Sequence, residues 1–198
     1  MIDWDRDLDK LVTETREVLV RFAGEFPATR VCAVFFDAEP LYGYVIIALD
    51  TPENSLRSCR QTEQRALERR QQTLAGPDAW RHARHHLTSP AIPLLETNSG
   101  DFAHPQYAEI RFPEWQRLNE SGQVPQSAGD EDHWLAGHVR LLLWRAAERL
   151  VEVRAFDVLN QSEPFVVGYG LHDEEEGVLR VLRWPDHGPP ASHRRSGP

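Results

Sequence analysis

A pattern that occurs twice constrains the fold of this chain more than any other feature. A long amphipathic helix leads directly into apolar strands, once near each end of the sequence. The helices and strands of the two copies are predicted, in chain order, at Asp5–Glu25, Arg30–Phe36, Leu41–Leu49, Asp132–Val153, Ala155–Leu159, Phe165–Leu171 and Val178–Trp184. This pattern is typical of a sheet covered by helices, and it carries no catalytic motif.

The spacing of apolar residues supports the helices. In the first helix they recur three and four positions apart, as in a helix that packs on a core. A further helix is predicted over Pro52–Leu74, because Thr51 can cap its first turn and proline is favoured at the first helical position. A short helix is predicted from Phe112 to about Asn119. The rest of residues 77–130 reads as irregular, since prolines interrupt it repeatedly.

The predicted fold class is therefore α+β, with a mainly antiparallel sheet of about five strands. Three longer helices cover the sheet, and the elements follow the order α-ββ-α-(irregular)-α-βββ. Residues 1–187 are predicted to form a single domain, and residues 188–198 a polar, disordered tail. A chain of 198 residues with 40% hydrophobic residues is long enough to bury one sizeable core.

Charge and composition exclude several classes of function. The net charge of −9 argues against binding to nucleic acid, because such proteins concentrate basic residues on one face. The start of the chain does not resemble a signal peptide, and the apolar runs are too short to cross a membrane. We therefore predict a cytoplasmic protein, whose two cysteines, Cys32 and Cys59, remain reduced thiols.

Acidic residues form two candidate binding patches. The first lies between two predicted strands and consists of Asp173, Glu174, Glu175 and Glu176. The second precedes the predicted C-terminal helix and consists of Asp130, Glu131 and Asp132. Either patch can be a solvated surface, or it can attract a basic partner by its charge. The first patch does not have the spacing of an EF-hand calcium loop.

The irregular segment holds a second set of candidates, namely His85, His86, Asp101 and His104. If residues 82–86 are helical, the histidines share one face, as zinc ligands do. Two arginines within this stretch oppose a bound cation, and no zinc-protease motif is present. We therefore predict no metal and no cofactor, and we keep these four residues as an alternative ligand-binding site.

Several local phrases resemble a bacterial domain-of-unknown-function family that is met in genomes alongside toxin-immunity genes. The resemblance rests on the first helix with its two strands, the helix start Asp50-Thr-Pro-Glu-Asn54, a middle punctuated by tryptophans and the ending Arg183-Trp-Pro-Asp186. It covers most of residues 5–187. It implies a compact α+β cytosolic protein that binds and neutralises another protein, and it implies no catalytic residues.

The leading functional prediction is a non-enzymatic protein-interaction module, an immunity-like inhibitor of a basic partner. The acidic balance and the lack of a nucleophile motif favour it. The alternative is an enzyme or small-ligand binder whose site is built by residues 77–130. A third reading is a purely structural subunit, for which a large exposed apolar patch would be the sign.

Overall fold

The computed structural model describes residues 2–75, 98–121, 131–172 and 178–183. The helices among them are α1 (Trp4–Glu25), α2 (Pro52–Ala75), α3 (Pro113–Glu120) and α4 (Glu131–Glu152). The strands are β1 (Val31–Glu39), β2 (Tyr44–Asp50), β3 (His104–Arg111), β4 (Gln161–Leu171) and β5 (Val178–Arg183). Two short 3-10 turns lie at Ser99–Asp101 and Ala155–Val158. The predicted α+β class is confirmed, as are the three longer helices and the short helix after Phe112.

The described strands form one sheet in the order β3-β2-β1-β4-β5. The pairs β1–β2, β2–β3 and β4–β5 are antiparallel, whereas β1 and β4 run parallel. The sheet is thus mainly antiparallel with five strands, as predicted, but it is mixed at its centre. The parallel pair has a direct consequence for the site, because the carboxyl ends of β1 and β4 lie side by side.

One face of the sheet, here called the first face, packs against α1 and α4. Successive side chains of a strand point to opposite faces, so every second residue of the strands faces these helices. The fully buried residues of this core include Leu11, Leu19, Phe22, Phe36, Ile47, Leu49, Leu135, Leu143, Leu150 and Phe165. Asp3 starts α1, because its side chain accepts a hydrogen bond from the amide of Arg6.

The opposite, second face buries a separate apolar cluster. Its members are Cys32, Ala33, Phe35, Ala48, Phe102 and Val166. Two carboxylates, Asp37 and Asp50, alternate with first-face residues of β1 and β2 and therefore belong to the second face. Both are buried.

The predicted strand Ala155–Leu159 is wrong, because this stretch begins with a 3-10 turn. Arg154 has a φ of 55°, which lies in the left-handed region and ends α4. The Arg154 guanidinium also pairs with Asp157 at 2.7 Å, within the same turn. The chain then enters β4 at Gln161, so this strand begins earlier than predicted.

The segment predicted as irregular contains a strand, β3, at one edge of the sheet. Most of its residues are exposed or half-buried, and among the described strands it pairs only with β2. Its pattern lacks the apolar alternation of a half-buried strand, which is why the sequence does not reveal it. The predicted tail 188–198 lies outside the described residues. No described helix combines the length and apolar character that crossing a bilayer requires.

Candidate functional site

Two side chains converge on the carboxylate of Asp37, near the end of β1. The hydroxyl of Ser99 donates a hydrogen bond to Asp37 Oδ2 at 2.8 Å. The Nδ1 atom of His172 lies 3.1 Å from the same oxygen. Asp37 itself is only 7% exposed. We call Asp37, Ser99 and His172 the Asp37 cluster.

The parallel pairing of β1 and β4 brings His172 to this place. Asp37 is in register with Gly170 of β4, and His172 follows directly after the end of that strand. The backbone amide of His172 donates to the carbonyl oxygen of Ala38 at 2.7 Å. The chain after β4 is therefore fixed to β1 both by its backbone and by the His172 ring.

Ser99 is held by a compact turn, which we call the 98–103 segment. The Asn98 side chain accepts from the amide of Gly100 at 3.1 Å and donates to Asp101 Oδ2 at 3.2 Å. At the other end, Phe102 packs edge-on against Phe35 with ring centroids 6.2 Å apart. The segment therefore lies on the second face of the sheet.

A second buried carboxylate, Asp50, holds the far end of this segment. Asp50 Oδ1 accepts hydrogen bonds from the amide of Ala103 at 2.9 Å and from the Asn54 side chain at 2.8 Å. The Asn54 amide also donates to the carbonyl oxygen of Asp101 at 2.8 Å. Burial raises the pKa of the Asp50 carboxyl, and the hydrogen bonds from Ala103 and Asn54 oppose that rise.

Each of the two carboxylates has an oxygen that accepts no hydrogen bond. Asp37 Oδ1 and Asp50 Oδ2 are both buried, and neither has a hydrogen-bond partner in this structure. An unsatisfied buried acceptor costs about 1–3 kcal/mol, and more when it is charged. The second face therefore retains unused acceptor capacity at two points.

The neighbouring thiol is not a nucleophile. Burial raises the pKa of Cys32 to about 12, and the negative charge of Asp50 acts in the same direction. Because the thiolate is the reactive form, Cys32 is inert at neutral pH.

The Asp37 cluster also lacks the geometry of a hydrolase triad. In such a triad the serine donates to the histidine, whereas Ser99 donates to the carboxylate.

Many of the residues predicted from sequence lie outside the described part of the chain. This group comprises His85, His86, Asp130, Asp173, Glu174, Glu175 and Glu176. Glu131 and Asp132 begin α4, but their side chains are also outside the described part. The structure therefore shows only where the Asp173–Glu176 run is attached, directly after His172.

The other two predicted ligand residues, Asp101 and His104, are not brought together. Asp101 is exposed in the 98–103 segment on the second face. The ring of His104 instead packs against Phe22 of α1 and against Phe26, which directly follows that helix, with centroids 5.0 Å away in each case. The two environments differ because His104 is paired with Leu49 of β2, a residue of the first-face core, whereas Asp101 belongs to the segment on the second face.

A cleft of about 310 Å³ lies at the opposite end of β1 from Asp37. Its walls come from the end of α1 and from the chain around the second 3-10 turn, including Phe26, Pro27, Val158 and Asn160. None of its lining residues carries a titratable side chain, so the cleft offers no acid–base chemistry of its own.

No sequence pattern predicted Asp37, Asp50, Ser99 and His172 as site residues. The available signal was a charged residue inside or at the end of an apolar run, as in Phe36-Asp37-Ala38 and Leu49-Asp50. Asp37 instead falls just after the predicted strand Arg30–Phe36, and Asp50 falls at the predicted start of a helix. The strand in fact continues through Asp37 to Glu39.

Comparison with protein-family models, with curated proteins and with solved structures finds no match to this chain. The resemblance to a family found near toxin-immunity genes therefore stays a prediction. The described residues contain no group of three or more histidine, cysteine, aspartate or glutamate side chains that could hold a metal ion.

Proposed function

We propose that this protein is a non-enzymatic interaction module that binds a basic protein and occludes it, as an immunity-type inhibitor does. The chain carries a net charge of −9, and four consecutive acids, Asp173–Glu176, follow His172. Clustered acids speed the encounter with a basic partner and fix its orientation. A cytoplasmic location is part of this proposal.

The observation that carries the proposal is the attachment of this acidic run to the sheet. His172 is joined to β1 by its backbone amide and, through its ring, to the buried carboxylate of Asp37. A binding segment that starts from a rigid support loses less conformational entropy on association than one that starts from a mobile support. The acids are thus presented from a fixed point.

The inert thiol of Cys32 and the bonding of Ser99 support a binding role over covalent catalysis. Neither residue is activated as a nucleophile by its surroundings. Asp130, Glu131 and Asp132 are proposed as a second, weaker contact patch, because they add acidic charge at the start of α4.

Affinity purification of the tagged protein from its own host tests the proposal. A basic protein should be retained at low salt and released at high salt. Replacing Asp173, Glu174, Glu175 and Glu176 by serine or glutamine should abolish its recovery. The matched control removes the same number of charges at four exposed glutamates elsewhere, namely Glu17, Glu120, Glu152 and Glu163. Equal loss in both variants, or no basic partner at all, contradicts the proposal.

A second candidate, a small-ligand binder, is favoured by one observation. The 98–103 segment, part of the region predicted to build such a site, is anchored to two buried carboxylates of the sheet. A thermal-shift screen with small metabolites tests it. A compound that stabilises the wild type but not Asp101→Asn supports this candidate, and a screen without such a compound removes it.

A further inference from the structure

We propose that the Asp37 carboxylate binds one cationic side chain, a guanidinium or an ammonium group, supplied by the basic partner. We call this binding site the seat. The identity of the partner rests on the proposed function, but the chemistry of the seat rests on the Asp37 cluster alone. The proposed contact is the Asp37 carboxylate itself, which lies within the described residues.

One oxygen of the buried Asp37 carboxylate accepts no hydrogen bond. Ser99 and His172 both bind Asp37 Oδ2, whereas Oδ1 is buried without a hydrogen-bond partner. A cationic donor would supply a charge-assisted hydrogen bond to that oxygen, the strongest kind available to a carboxylate. Because the carboxylate is already desolvated, the bond would form where the effective dielectric constant is low.

The two partners of Asp37 differ in how far they are exposed to solvent, and this favours one direction of approach for a cationic side chain. Ser99 is 8% exposed and closes one side of the carboxylate, whereas the His172 side chain is 38% exposed. On the β4 side, Asp37 is in register with Gly170, which contributes no side chain. We therefore expect a slender cationic side chain to approach Asp37 from the side of the His172 ring.

Acidic residues lie close in sequence to both partners of Asp37. Asp101 is exposed two residues after Ser99, and Asp173 follows His172 in the chain. Since Ser99 and His172 meet on one oxygen of Asp37, both acidic stretches start from the same cluster. Strong interfaces commonly place a desolvated anchor at the centre and near-neutral or steering contacts around it. The buried Asp37 fits the anchor, and the exposed Asp101 fits a surrounding contact.

The test uses butylguanidinium as the probe and its neutral isostere butylurea as the control, with binding followed by NMR titration. Saturable binding of butylguanidinium, with shifts centred on Ser99 and His172, is expected, and butylurea should not bind. Asp37→Asn should weaken binding by about tenfold or more, because a charge-assisted hydrogen bond is lost. The exposed Asp157→Asn variant is the matched control and should bind like the wild type.

Two further measurements keep the test decisive if Asp37→Asn does not fold. Ser99→Ala leaves the carboxylate in place with one donor fewer, so it should bind butylguanidinium at least as tightly as the wild type. The wild-type titration itself maps the site. No saturable binding, binding that shifts residues remote from Asp37, or equal binding by folded Asp37→Asn would each overturn the proposal.

The outcomes also separate this proposal from the proposed function. If butylguanidinium binds at Asp37 but no basic protein is recovered from the host, the seat stands and the ligand is a free guanidinium or amine compound. The opposite outcome is a basic partner whose binding requires Asp173–Glu176 but is unchanged by Asp37→Asn. That result contradicts the proposed cation site at Asp37 and supports the proposed function.

Discussion

The two faces of the sheet are built from the same strands but bury different chemistry. The first face packs large apolar side chains against α1 and α4, and a buried acid on that side, Asp7, accepts a hydrogen bond from the Trp115 indole at 2.8 Å. The second face buries a small cluster together with Asp37 and Asp50, each with an unused oxygen. The difference indicates that the first face supplies stability and leaves the second free to carry a polar site.

Adjacent phenylalanines on β1 give the sharpest test of this difference. Phe36 is fully buried in the large core of the first face, whereas Phe35 is 6% exposed and belongs to the smaller cluster of the second face. Phe36→Ala should lower the free energy of unfolding by about 3–5 kcal/mol, because it opens a cavity among large side chains. Phe35→Ala should cost less. Urea unfolding measures both, and an equal or greater cost for Phe35→Ala would break the comparison.

Loss of the Ser99 hydroxyl should have the next largest effect. Ser99→Ala leaves the buried Asp37 carboxylate with one donor fewer, so the free energy of unfolding should fall by about 1–3 kcal/mol. The control is Ser121→Ala, since that hydroxyl also donates a hydrogen bond, to Leu118 at 2.9 Å, but at an exposed position. Its expected cost is below about 0.5 kcal/mol. Thermal unfolding measures both variants. Similar losses of stability would mean that the Ser99 hydrogen bond to Asp37 stabilises the protein no more than an exposed hydrogen bond does.

The buried charge of Asp50 should appear as a dependence of stability on pH. Its pKa is raised in the folded state above 3.8, so its contribution to stability is complete below that pH. The contribution is lost as the pH rises through the folded-state pKa, because the unfolded chain releases the proton first. Asp50→Asn cannot titrate, and its stability relative to the wild type should therefore increase over that interval.

Urea unfolding checks this expectation when wild type and Asp50→Asn are compared between pH 3 and pH 7. The difference in free energy of unfolding at the acid end of this range serves as the internal reference. Burial also raises the pKa of Asp7 on the other side of the sheet, against the opposing hydrogen bond from Trp115. Asp7→Asn should therefore change in the same direction. A difference between wild type and Asp50→Asn that does not vary with pH would refute the assignment of Asp50 as a desolvated charge.

The smallest effect is expected from the ion pairs that join α1 to α4 on the surface. Asp9 pairs with Arg149, and the side chains are 66% and 49% exposed. A double-mutant cycle with Asp9→Asn and Arg149→Gln should give a coupling of about 0.2–1 kcal/mol. The coupling should shrink in high salt, because screening acts on exposed charges. A larger coupling, or one that does not change with salt, would mean that these surface ion pairs supply part of the stability attributed to the first face.

The sequence revealed the parts of the fold whose apolar spacing is regular. The helix predicted over Asp5–Glu25 begins one residue earlier in the structure, at Trp4, and the helix after Thr51 begins as predicted at Pro52. In both cases the local pattern and the tertiary environment agree. Regular amphipathic elements of this kind define the first face almost completely.

Three features could not be read from the sequence, and each depends on tertiary contacts. The edge strand β3 has no apolar alternation because most of it is not covered. The parallel pairing of β1 and β4 joins distant segments, which spacing alone does not encode. The burial of Asp37 arises only when Ser99 and His172 arrive from other elements. The second face, and the candidate site on it, is therefore assembled by the fold rather than by any local motif.

The parallel pair at the centre of the sheet also sets an order of events during synthesis. β1 and β2 leave the ribosome early, but β4 follows only after α2, β3, α3 and α4 have been made. Until then β1 exposes a row of unpaired backbone groups that other chains can engage. Such long-range pairing slows folding and prolongs that exposure. The nascent chain should therefore depend on chaperone protection until β4 emerges, and the Asp37 cluster can form only after His172 has been made.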